Sequence, residues 1–151
     1  MSELTIREAE PDDHAHVIAV LDEWWGGRRR MRDMLPRLFF VHFRGTSFVA
    51  ERDGELAGFL VGFLSQAEPD EAYVHFVGVS PGERGSGLGR DLYERFFAAA
   101  RAEGRTRVSC VTSPANAGSL AFHRAIGFEP SLPKVDYDGP GEDRVVLARS
   151  I

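Results

Sequence analysis

Two residue types are almost missing from this chain. Its 151 residues include one cysteine, Cys110, and one lysine, Lys134. A lone cysteine excludes an intrachain disulfide and any multi-cysteine metal site. No apolar run approaches the roughly 20 residues that cross a bilayer, so no membrane association is expected. The start, Met1-Ser2-Glu3-Leu4, lacks the basic stretch and apolar run of a secretory signal, and a cytoplasmic protein is the expectation. A positive field is lacking too: the formal net charge of -5 argues against nucleic acid as a partner. His14, His16 and His42 show no metal-ligand spacing, and no metal is expected. What remains is 43% hydrophobic and 27% charged, the balance of an ordinary globular chain, with size for a single domain over residues 1–151.

Hydrophobic spacing then orders the elements. Leu4 to Glu8 alternates as a first strand, and Pro11-Asp12-Asp13 opens a helix whose apolar face is Val17, Ile18, Leu21, Trp24 and Trp25. A second, less regular helix is expected from Arg28 toward Phe40, disturbed by Pro36. Asp53-Gly54 joins strands Phe48–Glu51 and Leu56–Ser65 as a hairpin, and Ala72–Val79 follows as the next strand. The long apolar run of Leu56–Leu64 places that strand inside a sheet covered on both sides. A helix reaching about Glu103 carries Leu88, Leu92, Phe96 and Ala99 on one face. Thr106–Val111 is a short strand, Asn116–Ile126 a helix stopped by Gly127, and Phe128, Val135 onward and Arg144–Ala148 a closing pair of strands. The order describes a mixed α/β domain with an antiparallel front half.

The chemistry concentrates in Arg84-Gly85-Ser86-Gly87-Leu88-Gly89-Arg90, between a strand and a helix. Closely spaced glycines let the backbone approach a bulky anion, and free N–H groups at a helix start point toward it. The stretch reads as a phosphate or pyrophosphate cradle with Arg84 and Arg90 at its rim. It has no lysine, which excludes a nucleoside-triphosphate loop. Arg90 stands where a dinucleotide fingerprint needs Gly or Ala, and the next strand ends Ser109-Cys110-Val111-Thr112 without an acid.

The chain resembles the GNAT superfamily of N-acetyltransferases. Arg84, Gly87 and Gly89 match its signature of Arg or Gln, two residues, Gly, one residue, then Gly or Ala, preceded by Val77-Gly78-Val79 and Pro81. Asn116 through Phe122-His123 to Gly127-Phe128 resembles its second motif, and the likeness covers nearly the whole chain. It implies a mixed central sheet with helices on both faces and a splay between the fourth and fifth strands, those ending near Val79 and near Cys110. It implies acetyl-coenzyme A as co-substrate, its pyrophosphate held by the amides of Arg84, Gly85, Ser86, Gly87, Leu88, Gly89 and Arg90. Val77, Gly78 and Val79 would pair with the pantetheine arm, while Asn116, Ser119, Phe122 and His123 line its far side. The activity implied is acetyl transfer to a primary amine of a small molecule or a protein end. By family habit a homodimer is expected.

Amine attack on a thioester needs the free base, although an alkyl ammonium has a pKa of ~10.4. His75 is the first candidate for the base, on the strand leading to the turn and expected to share a side with Val77 and Val79; packing within the sheet is its alternative. Tyr73 and Glu71 follow as candidates. The Val77 amide is the family-implied donor to the oxyanion. His123 stands where the family usually has tyrosine, so acid, positioning group and packing residue remain open for it. That departure also keeps a non-catalytic acyl-coenzyme A sensor as a second reading. Cys110 reads as a small buried filler rather than an acyl carrier. Trp25 and Arg28 are candidates for the acceptor side, by the resemblance.

Overall fold

A computed structural model describes residues 3–26 and 31–151. Seven strands form one sheet: β1 (Leu4–Glu8), β2 (Phe48–Arg52), β3 (Glu55–Leu64), β4 (Glu71–Val79), β5 (Arg107–Thr112), β6 (Glu129–Pro130) and β7 (Val145–Ser150). Their order is β1-β2-β3-β4-β5-β7-β6. Neighbours are antiparallel except β4 and β5, which run parallel. The Asp53-Gly54 hairpin forms as read, with Asp53 at φ 53° and Gly54 at φ 82°.

Helices cover both faces. α1 (Asp13–Trp24) and α2 (Leu38–His42) lie on one, where Val17, Leu21, Trp24, Phe39 and Phe40 meet Val49, Phe59, Val61 and Phe76. α3 (Leu88–Ala102) and α4 (Ala117–Ala125) pack on the other, where Leu92, Tyr93, Phe96 and Phe97 meet Leu60, Val74, Val108 and Leu147. β3 therefore buries both its faces, as its unbroken apolar run requires. No described helix is long and apolar enough to cross a membrane.

Three expectations change. The second helix is not continuous: Met31–Met34 makes a short 3-10 turn and α2 begins only at Leu38, because Pro36 cannot continue a helix. The stretch from Val135 forms no strand; β6 has two residues, and beyond it only Lys134 bridges Arg144 before the loop. The third concerns β4. Val61 faces Phe76 while the adjacent Gly62 faces Val74, so His75 is an extra residue, a β-bulge. The bulge turns His75 and Phe76 to the α1/α2 face, whereas Val77 and Val79 pack on the α3/α4 side. His75 does not share a face with Val77, contrary to simple alternation.

Candidate active site

The candidate site lies where β4 and β5 part. Their register pairs are Glu71 with Arg107, Ala72 with Val108 and Tyr73 with Ser109, and none joins them beyond these. Both strands continue, to Val79 and to Thr112, so a wedge opens between them. The glycine-rich turn stands at the wide end. Gly85 and Gly87 hold φ of 80° and 92°, values open to glycine but strained for other residues. Arg84 N–H bonds Pro81 O at 3.4 Å and Ser86 N–H bonds Glu83 O at 3.1 Å. The amides of Gly85, Gly87, Gly89 and Arg90 have no acceptor among the described residues, and that of Leu88 has only Ser86 Oγ at 3.4 Å. Unpaired donors at the start of a 15-residue helix suit a diphosphate of coenzyme A type, since helix polarity adds to their attraction.

The arginine side chains go elsewhere. Arg84 Nη2 donates to Trp24 O at 2.6 Å, and Arg90 Nη2 to Ala125 O at 3.4 Å. Each guanidinium thus rests on the end of another helix rather than standing free at the rim. Gly89 has a second reason to be glycine: a Cβ there would lie 2.9 Å from the Phe122 ring, which ties α4 to the first turn of α3. Asn116, expected along the pantetheine path, caps α4 by accepting from Ser119 N at 3.0 Å.

His75 is half-buried and stacks on Phe39, centroids 4.6 Å apart. Its Nε2–H donates to Met34 O at 2.6 Å, which leaves the lone pair of the neutral ring on Nδ1. Tyr73 packs against Phe63 at the last β4–β5 pair. Burial pushes its phenol well up, with Cys110, Tyr137 and Asp138 adding to the effect, so it stays protonated and is no base. Glu71 is engaged, accepting from Arg107 Nε at 3.2 Å and Ser109 Oγ at 2.9 Å. Burial lifts the Cys110 thiol to about 12, which removes the thiolate an acyl carrier would need.

His123 is buried between two partners. Its Nδ1–H donates to Ser119 O at 2.7 Å, so Nε2 is the acceptor for the Tyr93 hydroxyl, also at 2.7 Å. Burial holds its imidazole below histidine's ordinary value, although the bond to Ser119 opposes this. With both nitrogens engaged and the cation disfavoured, the geometry fits a positioning and packing group rather than an acid. Tyr93 escaped the sequence reading; its signal was a second buried stripe on α3, Tyr93-Phe97-Ala100, beside the Leu88-Leu92-Phe96 stripe. Trp25 lies against Phe76, centroids 5.2 Å apart, and over Gly78. Arg28 falls outside the described residues.

Comparison with known proteins gives this geometry its context. Residues 12–128 match the profile described as Acetyltransferase (GNAT) family. An L-2,4-diaminobutyric acid acetyltransferase of Nocardia farcinica is 39% identical over 84 residues, covering 56% of this chain and 44% of that protein. The chain thus spans under half the length of that relative. A 5-NmdU N-acetyltransferase of Pseudomonas phage PaMx11 is 26% identical over 129 residues, 83% of this chain and 86% of that protein. Among solved structures, Ard1 from Thermoplasma volcanium superposes with a TM-score of 0.80 at 21% identity, over 98% of this chain and 97% of that one.

Proposed function

The chain belongs to the GNAT acetyltransferase family, and on that premise we propose that it is an N-acetyltransferase moving acetyl from acetyl-coenzyme A to a primary amine by direct attack. The observation that carries this reading is the set of amides at Gly85, Gly87, Gly89 and Arg90 without acceptors among the described residues, beside strands that part after Tyr73 and Ser109. Acetyl-coenzyme A, when bound, supplies the activated acyl group. The turn amides would hold its diphosphate, the β4 edge at Val77–Val79 would align its arm, and the Val77 N–H would serve as donor to the developing oxyanion. His75 takes the ammonium proton at Nδ1 while Met34 fixes the other nitrogen. Tyr73, kept protonated by burial, takes no proton from the amine, and the departing thiolate would take its proton from solvent. His123 holds α4 against α3 through Ser119 and Tyr93.

The acceptor is a primary amine of a small molecule or a protein end, with Trp25 bordering it; the diaminobutyric acid relative favours the small molecule. The lone buried cysteine fits a reducing, cytoplasmic setting. The exposed Leu132 and Val135 beside the sheet edge fit pairing of two copies. One observation favours the sensor reading, namely that His123 has no free nitrogen for acid work. Thiol release from acetyl-coenzyme A over an amine panel separates the two. Turnover with an amine, reduced about 10²-fold or more in His75→Ala and partly restored by added imidazole, is expected. Coenzyme binding without amine-dependent thiol release would leave the sensor.

A further inference from the structure

We propose that the Arg84 side chain is a latch that positions the acceptor wall, and not a ligand of the phosphates. α1 has no basic residue in its own last turn, although helix polarity favours a cation at its C-terminal carbonyls. Arg84, sixty positions along the chain, supplies it through the 2.6 Å bond to Trp24 O. The next residue is Trp25, whose ring edges against Phe76. A Cβ at Gly78 would lie 2.7 Å from Trp25 Cη2, so the indole rests directly on the β4 backbone beside Val77.

These contacts close a ring: from β4 into the turn, through the Arg84 guanidinium to the end of α1, and by Trp25 back onto β4. The free amides begin at Gly85, one residue after the latch. The same residue therefore fixes the cofactor turn by its backbone and the opposite wall by its side chain. Its guanidinium, committed to a helix end, leaves anion binding to the amides. The inference rests on the proposed acetyl transfer for its kinetic readout, and on the two tryptophans, Trp24 and Trp25, for a readout that does not.

The test compares wild type with Arg84→Ala and Arg84→Lys by calorimetric coenzyme A binding, tryptophan emission and steady-state kinetics with an amine that wild type turns over. In Arg84→Ala the coenzyme A Kd should move less than about threefold, while the acceptor KM rises roughly tenfold and the emission shifts to the red. Arg84→Lys, which keeps one donor for Trp24 O, should recover part of both changes. A coenzyme A Kd weakened roughly tenfold with unchanged emission would make the side chain a phosphate ligand and end the proposal. Unchanged emission and unchanged acceptor KM would end it as well. Should wild type bind no coenzyme A, the proposed activity fails, yet the emission of the unliganded variants still decides the latch.

Discussion

At the scale of single residues, His123 shows how an altered motif position is absorbed. Where the family usually has tyrosine, the imidazole donates to Ser119 O and accepts from Tyr93, a hydroxyl that α3 brings from 30 positions away. His123→Phe would leave the Tyr93 hydroxyl buried without its 2.7 Å acceptor, a loss of about 1–3 kcal/mol. The pH dependence follows from the direction of the shift. The folded imidazole titrates below the unfolded one, so the unfolded chain takes up the proton first as pH falls. The stability due to His123 is whole above about pH 6.5 and declines from there through the lower, folded value. Urea unfolding near pH 7.5 and near pH 5.5 should show wild type losing more stability than His123→Phe over that interval. Equal losses would mean that the two partners do not hold the neutral ring.

At the scale of elements, the turn before α3 is the part that would act through its backbone in the proposed function. Gly87 is the N-cap of α3 at φ 92°, and a Cβ there meets nothing within 4 Å. Gly87→Ala therefore costs only the left-handed conformation, about 1–2 kcal/mol. Relieving that strain swings the neighbouring N–H groups away from a common point. Coenzyme A affinity should fall roughly tenfold with far-UV circular dichroism unchanged, as calorimetry would read it; an unaltered Kd would show that the amides at Gly85 to Arg90 are not the anion site. This turn was legible in the sequence because its chemistry is local, with glycine, helix start and arginine all within seven positions. So were β1 to β5, α3 and α4 as elements, whose periodicities are long enough to fix their type. The bulge at His75 was not, since Ala72 to Val79 reads as regular alternation. What displaces the strand is its partner: a Cβ at Gly62 would sit 2.6 Å from Tyr73 O, so only glycine permits that approach. Nor could the sequence show that the Arg84 and Arg90 side chains end on α1 and α4, because those contacts exist only after folding.

Across the whole molecule, the two halves of the sheet are joined at their edges by only a short run of strand pairing. β1 to β4 form an antiparallel unit with α1, α2 and α3 packed on it; β5, β7 and β6 form another with α4. Between them stand the short parallel run from Glu71–Arg107 to Tyr73–Ser109 and the shared α3/α4 core. Backbone groups in the open part of the wedge, Val74 to Val79 and Cys110 to Thr112, lack the neighbour that a closed sheet would give them. A ligand lying along the wedge and bound at the turn bridges both halves, and it binds only the folded chain. Coenzyme A at about a hundred times its Kd should then add about 2.7 kcal/mol to stability, raising Tm by several degrees at this chain length. Hydrogen exchange gives the effect a location. Protection should rise in Val74–Val79 and in the turn from Gly85 to Arg90, and change little in β1 and β2, which are remote from the wedge. A Tm shift with protection spread evenly over the sheet would mean that the ligand stabilises the fold from some other place, and the wedge would lose its claim to be the site.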